Sequence, residues 1–224
     1  MLAVSVLAGC SVGGQIGAGD DGPRASPAIQ IMSKSFTVAG PRGFCIDPAA
    51  TQETETGGFV ILGSCAVISG NPNDAKPQQP AVLTASVAPA TQPFDAAALD
   101  RMAAFFSSPD GLAALARSES ATAATVLELK RDAGMLLIHA RDGARNGDVA
   151  GDYWRAVFAT AGQLVTVTVS GFRATPLDAK DGARLTRAFA DAIRKANRSG
   201  ATAATATAPR PSGGGLASFF NRLL

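Results

Sequence analysis

The stretch that decides the fold is residues 163–172, QLVTVTVSGF, in the C-terminal third of the chain. Three valines alternate there with two threonines and a serine. A period of two places successive side chains on opposite faces of a strand, so we expect one buried face and one face in water. Sheets with a solvated face are mostly antiparallel. The pattern therefore predicts an antiparallel sheet.

The rest of the C-terminal half extends this sheet and adds a helix. Three further strands are predicted over 125–130, 135–141 and 152–159. Ala161-Gly162 favours a tight turn between the last two strands. An amphipathic helix is predicted over 178–197, where apolar residues recur at helical spacing.

The N-terminal half also begins with strands and continues into helices. Its predicted strands are 35–38, 43–47, 58–69 and 81–87. Asp95 is a good N-cap for a first helix because its carboxylate can accept from free backbone N–H groups. Ser108-Pro109 predicts a second helix, since proline is tolerated at the first helical position.

The order of strands, helices, strands and a helix contains no βαβ alternation. This order predicts an α+β fold, with helices packed on an antiparallel sheet in a single domain over 34–198. Residues 10–33 are rich in Gly, Asp, Ser and Pro and predict a flexible tether. Residues 199–224 predict a second disordered linker that ends in a short amphipathic helix.

This layout resembles the Mog1/PsbP-like fold. The resemblance rests on YWRAVF at 153–158, GQLVTVTV at 162–169, Pro176-Leu177 and a helix that ends at Ala196-Asn197. Proteins of that family are mostly binding or assembly proteins, so the resemblance implies a non-catalytic domain. It assigns no functional residue to this chain.

The N-terminus carries the most specific motif. Residues 1–10 read MLAVSVLAGC, an apolar run that ends in small residues, as in a secretory signal. Leu7-Ala8-Gly9-Cys10 resembles the lipobox of bacterial lipoproteins, which implies cleavage before Cys10 and a diacylglycerol on its sulfur. Residues 1–9 would then be a signal peptide. We expect it to be truncated, because no Lys or Arg precedes the apolar run. The alternative is a buried N-terminal strand.

The lipobox resemblance also implies a location. A lipidated, exported protein is expected in the bacterial cell envelope, anchored to a membrane and facing the periplasm. Ser11 slightly favours the outer membrane, since an aspartate at that position often signals inner-membrane retention in the family. The partner implied by the anchor is a membrane, together with an envelope protein.

Cys45 and Cys65 are the remaining two of three cysteines. Each falls in a predicted strand, and exported thiols of this kind are usually oxidised. We therefore expect a structural disulfide. Two free buried thiols or a redox pair are the alternatives, although neither cysteine has a cationic neighbour that would lower its thiol pKa.

Catalytic groups are scarce. The chain has one histidine, His139, in an apolar strand. Asp142, Asp148 and Asp152 flank the connection that follows, so the enzyme alternative would use these aspartates with His139. One histidine and two separated cysteines do not form a zinc motif. We expect no metal site, no cofactor and no enzyme activity.

The remaining surface features indicate contacts rather than chemistry. The net charge of +2 and the absence of a basic cluster with interleaved aromatics argue against nucleic acid. Basic residues recur on the polar side of the last helix, where a solvated face is expected. In the C-terminal segment 216–224, one helical face could contact a partner or a membrane. Its contact residues are Leu216, Phe219, Phe220 and Leu223.

These features together predict a membrane-anchored envelope lipoprotein with a binding or assembly domain. The alternative to a protein-binding domain is a small-ligand carrier with a cavity between the sheet and the helices.

Overall fold

The computed structural model describes residues 25–116, 124–143 and 147–198. Within these ranges the chain forms one large antiparallel sheet, a separate hairpin and four helices, which confirms the α+β class. Residues 199–224 and most of 10–33 lie outside the described ranges. No helix in the described part is long and apolar enough to cross a bilayer.

The predicted strands and helices follow in the predicted order, with three short elements between or before them that were not predicted. The first half contains β1 (Ala28–Ile31), β2 (Phe36–Ala39), β3 (Phe44–Ile46), β4 (Gln52–Glu53), β5 (Gly58–Ser64), α1 (Cys65–Ser69) and β6 (Ala81–Pro89). The second half contains α2 (Ala96–Phe106), α3 (Pro109–Leu115), β7 (Ala124–Asp132), β8 (Met135–Asp142), β9 (Val149–Thr160), β10 (Gln163–Phe172) and α4 (Ala179–Ala196).

Strand β10 joins the two halves of the chain. The sheet has the order β3-β5-β6-β10-β9-β8-β7, and β4 pairs separately with β5. All of its pairings are antiparallel, and β10 lies between β6 and β9. The predicted turn before β10 forms at Ala161 and Gly162, whose φ angles are 49° and 73°. Such positive φ values are typical of the tight hairpin turns that match strand twist.

One face of the sheet packs on helix α4. The alternating valines of β10 meet Phe189 and Ile193 of the helix in a buried cluster that also includes Trp154 and Phe158. The same cluster takes in the β1–β2 hairpin through Ile31, Phe36 and Val38. Burial of this apolar surface is the main force that fixes the helix and the hairpin on the sheet.

The opposite face is also covered, which corrects the expected wet face of residues 163–172. Helices α2 and α3 place Met102, Phe106 and Leu115 on Tyr153 and Val157 of β9 and on neighbouring strands. On β10, Thr166 and Ser170 are only 8% and 7% exposed. The polar side chains of β10 therefore face a second, smaller buried layer and not solvent.

The predicted strand over 58–69 is wrong in its second half. Strand β5 ends at Ser64 and helix α1 follows. Ser64 is the register partner of Phe44, the first residue of β3. Beyond Ser64 the chain has passed the end of β3, so a helix, which satisfies its own backbone groups, replaces the strand.

The expected tether over 10–33 also requires correction at its C-terminal end. Strand β1 lies inside that range and pairs with β2 over four registered residue pairs. Ile31 is fully buried in the core cluster. The folded domain therefore begins before residue 34, because two isoleucines in β1 supply apolar surface that the hairpin buries.

Local capping explains the helix starts. The side chain of Asp95 accepts from the N–H of Ala98 at 2.9 Å, and Ser108 accepts from Gly111 at 3.2 Å. Asp178 caps α4 in the same way, accepting from Asp181 at 2.7 Å. The predicted N-cap at Asp95 is confirmed, and Pro109 begins α3 as predicted. Each cap satisfies a backbone donor that the helix cannot pair internally.

Candidate functional site

The two cysteines of the domain lie together at one end of the sheet. Cys45 of β3 and Cys65, the first residue of α1, are joined in a disulfide with Cα atoms 4.7 Å apart. Cys65 therefore lies in a helix, whereas the sequence predicted a strand at this position. Both residues are buried. The disulfide attaches α1 to an edge strand of the sheet.

A surface cleft lies beside this disulfide. Its volume is about 820 Å³, and its lining comes from 40–45, from both cysteines and from the loop after α1. Ala25, the first described residue, is also part of the lining. The N-terminal end of the domain therefore emerges at this cleft.

The loop over 70–80 is held by its own turn chemistry. The side-chain oxygen of Asn71 accepts from the N–H of Asn73 at 3.0 Å, and its backbone carbonyl accepts from Asp74 at 3.1 Å. The Ala66 N–H donates to the carbonyl of Ala75 at 3.3 Å, which ties the loop to α1. An Asx turn of this kind orders a loop without a regular element.

Gly43 allows the same loop to approach β3 closely. Its φ is +87°, and a Cβ built there would lie 2.6 Å from the backbone carbon of Lys76 and the nitrogen of Pro77. Only glycine tolerates both conditions. The carbonyl of Gly43 also accepts from the N–H of Cys65 at 3.0 Å. The loop, β3 and α1 thus form one packed unit.

A second cleft lies between this unit and helix α4. Its volume is about 470 Å³, and it shares Pro41, Arg42 and Phe44 with the first cleft. The described residues that complete its lining are Lys76, Pro77, Gln78, Gln79, Asp181, Arg184, Leu185 and Ala188. We call this second cleft the basic cleft, because its described lining contains three cationic side chains and one carboxylate.

Asp181 organises the helix side of the basic cleft. Its two carboxylate oxygens accept from the side-chain amide of Gln79 at 3.0 Å and from the guanidinium of Arg184 at 2.6 Å. The first bond fixes the loop against α4, and the second directs the Arg184 side chain. Side-chain hydrogen bonds therefore hold the helix side of the basic cleft in place.

The second group of predicted residues centres on His139. The structure brings His139 and Asp152 together, with Nε2 of the imidazole 3.9 Å from a carboxylate oxygen. Asp152 accepts two hydrogen bonds from Arg141, at 2.5 and 3.0 Å. At 3.9 Å no hydrogen bond forms, so Asp152 does not orient the imidazole as the aspartate of a catalytic triad does.

The electrostatics of this cluster follow from burial and from Arg141. Burial lowers the pKa of His139 from its ordinary value of 6.5, against the opposing effect of the Asp152 and Glu128 carboxylates. The hydrogen bond from Arg141 lowers the pKa of Asp152 and raises the pKa of Arg141 itself. At neutral pH the cluster therefore holds a neutral imidazole beside an ion pair.

The other two predicted aspartates do not join His139. Asp142 is buried on the opposite face of β8, three residues further along the strand. The backbone of Asp148 accepts from the N–H of Arg173 at 2.8 Å. Among the described residues, no three Cys, His, Asp or Glu side chains are placed to hold a metal ion.

Two of the basic residues of α4 depart from the solvated row expected from the sequence, and the others are exposed. Arg187 pairs with Asp132 at the end of β7. Arg194 donates to the carbonyls of Ala133 and Gly134 at 3.0 and 3.1 Å, and its burial lowers its pKa. These side chains fasten the helix to the β7–β8 turn.

Cys10 and the apolar residues of segment 216–224 lie outside the described residues, so their predicted roles stay predictions. The residues of the basic cleft were missed at the sequence level. Arg42 and Lys76 are separated by 33 residues of sequence, and no periodicity connects them. The proline-rich loop predicted a turn, but nothing in it indicated the approach to Gly43.

Comparison with known protein families, curated protein sequences and solved structures gives no significant match for this chain. The resemblances to bacterial lipoproteins and to Mog1/PsbP-like domains therefore stay predictions.

Proposed function

We propose that this chain is a lipid-anchored protein of the bacterial cell envelope whose domain binds a ligand or partner and does not catalyse a reaction. The observation that carries the proposal is the disulfide between Cys45 and Cys65. Disulfides persist in oxidising compartments and are rare in the bacterial cytosol. The proposed location is the periplasmic side of a membrane, with the outer membrane favoured by Ser11.

The cysteine count supports an anchor at Cys10. With Cys45 and Cys65 paired, Cys10 is the third cysteine, and it directly follows Leu7-Ala8-Gly9. Acyl chains contribute about 0.8 kcal/mol per buried CH₂, so two or more chains hold a protein stably on a bilayer. One cysteine would carry lipid, and the other two would stabilise the exported domain.

The surface supports binding over catalysis. His139 is stacked in a structural cluster, whereas the clefts beside the disulfide are open and lined by ordered loops. Both hydrophobic clusters lie between the sheet and its helices. A small-ligand carrier would therefore use these surface clefts instead of the internal cavity expected from the sequence.

Metabolic labelling with an alkyne palmitate analogue tests the anchor. The gene would be expressed with its native upstream region in a bacterium, as wild type, as Cys10→Ala and as the matched control Cys45→Ala/Cys65→Ala. We expect label on the wild type and the control, and none on Cys10→Ala. Label that survives Cys10→Ala, or that is absent from the wild type, would contradict the anchor.

Thiol trapping in intact cells tests the compartment separately. Cells would be treated with a membrane-permeant alkylating reagent, and the full chain would then be denatured with and without reductant. We expect Cys45 and Cys65 to react only after reduction. Alkylation of both residues without reductant would place the domain in a reducing compartment and overturn the proposed location.

The apolar segment 216–224 is proposed as a second contact with a membrane or an envelope protein. Pull-downs from detergent-solubilised envelopes would compare the full chain with Phe219→Ser/Leu223→Ser. We expect a specific protein to be lost from the variant. Identical captured proteins would leave the segment without a role in partner binding.

A further inference from the structure

Two cations of the basic cleft lack a counter-charge in the described part of the chain. Arg184 is neutralised by Asp181. Arg42 and Lys76 line the cleft from its other side, and neither makes an ion pair or a side-chain hydrogen bond within the described ranges. Both side chains are exposed to solvent. The cleft therefore has a net excess of about two positive charges in its described lining.

Apart from Gln78 and Gln79, the rest of the lining is apolar. Its apolar residues are Phe44, which is a buried residue of the main core cluster, and Pro41, Pro77, Leu185 and Ala188. A cavity of about 470 Å³ falls within the range of small-molecule sites. Its combination of an apolar pocket with a few convergent polar groups is the usual composition of such sites.

From this arrangement we infer that the basic cleft binds an amphiphilic anion, a phosphate monoester or carboxylate attached to a short apolar chain. Arg42 presents a planar guanidinium that pairs with two oxygens of such a group, and Lys76 adds a point charge. Gln78 adds a polar side chain to the same lining. The apolar chain would contact Leu185, Ala188 and the proline rings.

The cleft is held in shape before any ligand arrives. The close packing of Gly43 on the Lys76–Pro77 peptide holds the loop in place, and the bond from Gln79 to Asp181 joins that loop to α4. Preorganised groups lose little conformational entropy on binding, so a small ligand gains more of the interaction energy. This geometry separates the cleft from an ordinary patch of surface cations.

Calorimetric titration of the purified full chain tests the site. The probes are octyl phosphate below its micelle concentration, inorganic phosphate and octanol, each at low salt. We expect saturable one-to-one binding of octyl phosphate, about tenfold tighter than binding of inorganic phosphate or octanol. Absence of saturable octyl phosphate binding would overturn the inference.

Charge variants locate the binding in the cleft. Arg42→Gln and Lys76→Gln should each weaken octyl phosphate binding about tenfold, because each removes one charge-assisted contact. The matched control is Lys195→Gln, which removes an exposed charge from α4 outside the cleft. Equal weakening by all three variants would show general electrostatic attraction and overturn the site. Circular dichroism melts would confirm that the exposed substitutions leave the fold intact.

Vesicles distinguish a free ligand from a lipid headgroup. Vesicles of neutral phospholipid, with and without anionic phospholipid, would be added to the same proteins. If octyl phosphate binds and anionic vesicles compete with it, the ligand of the cleft is a membrane lipid. If octyl phosphate binds and the vesicles do not compete, the ligand is a free amphiphile. Binding to anionic vesicles alone would be surface attraction and would contradict the cleft.

These measurements are independent of the proposed anchor. The titrations use purified chain and do not depend on acylation of Cys10. Absence of palmitate labelling would contradict the anchor without affecting the proposed ligand site. Absence of octyl phosphate binding would contradict the ligand site without affecting the anchor.

Discussion

The imidazole of His139 lies flat on the indole of Trp154, with ring centroids 4.4 Å apart and planes inclined by 7°. The two residues are direct cross-strand partners on β8 and β9. Trp154 is 4% exposed and belongs to the main core cluster, so the imidazole covers the edge of that cluster. Stacked cross-strand pairs of this kind stabilise a sheet beyond the area they bury.

The first prediction concerns the pH dependence of stability. Burial lowers the pKa of His139 below 6.5, although Asp152 and Glu128 oppose the shift. On acidification the unfolded chain therefore binds a proton before the folded chain does. We expect the free energy of unfolding to fall as pH decreases below about 6.5 and to level off once the folded imidazole is protonated. Urea denaturation at a series of pH values between 8 and 5 measures this change in the free energy of unfolding.

His139→Gln is the variant for this prediction. His139 is the only histidine in the chain, so the variant has no side chain that normally titrates near pH 6. Its stability should be flatter over the same interval. If the free energy of unfolding of the variant fell with pH as steeply as that of the wild type, a group other than His139 would cause the loss of stability. A second decrease, at pH values below 3.8, is expected in both proteins because Arg141 lowers the pKa of Asp152.

Gly182 provides a prediction about the other contact of Trp154. A Cβ at Gly182 would lie 2.2 Å from Cδ1 of the indole. Glycine to alanine in a helix normally stabilises by about 1 kcal/mol. Here the indole is held by the core and by His139, so overpacking should dominate and Gly182→Ala should lower stability by about 1–3 kcal/mol. Chemical denaturation measures the change.

The matched control is Gly63→Ala in β5. A Cβ there meets only the flexible end of Ile68, at 3.5 Å, so this substitution should leave stability unchanged or slightly raised. If Gly182→Ala were as stable as the control, the close contact of α4 with Trp154 would be wrong.

The disulfide carries a third prediction. Its two cysteines are 20 residues apart in sequence, and closing such a loop stabilises by about 3 kcal/mol in the chain-entropy model. Cys45→Ala/Cys65→Ala should therefore reduce the free energy of unfolding by about that amount. Reductant should lower the stability of the wild type and leave the variant unchanged. Equal stability of the reduced and oxidised wild type would contradict a stabilising role.

Helices α2, α3 and α4 were predictable because their start signals are local. Asp95 and Ser108 cap the helices that follow them, and each cap bond spans three residues. Strand β10 was also readable, because its period of two appears in its own sequence. These features depend on neighbours in sequence, which a single chain displays directly.

The features that were missed depend on distant residues. Nothing in the apolar run over 58–69 shows that β3 begins at Phe44 and leaves β5 without a partner beyond Ser64. The polar residues of β10 looked solvated because the sequence does not show where α2 and α3 pack. Arg42 and Lys76 line the same cleft because the Lys76–Pro77 backbone packs closely on Gly43. These are tertiary contacts, and local patterns do not encode them.

The last prediction concerns Asn197, which joins the end of α4 to the β1–β2 hairpin. Its side-chain amide accepts from the N–H of Thr37 at 2.9 Å and donates to the carbonyl of the same residue at 2.7 Å. It also donates to the carbonyl of Ile193 at 2.8 Å. The amide therefore pairs with β2 as a neighbouring strand would.

Asn197→Asp keeps the shape of the side chain and removes both of its N–H donors. The carbonyls of Thr37 and Ile193 would lose a donor and face a negative charge, so we expect stability at pH 7 to fall by about 2–3 kcal/mol. Arg198→Ala, at the exposed next residue, should change it by less than about 0.5 kcal/mol. Urea denaturation of both variants gives the comparison, and equal stabilities would remove the proposed link. Because a protonated carboxyl regains one donor, the defect of Asn197→Asp relative to the wild type should shrink at acidic pH.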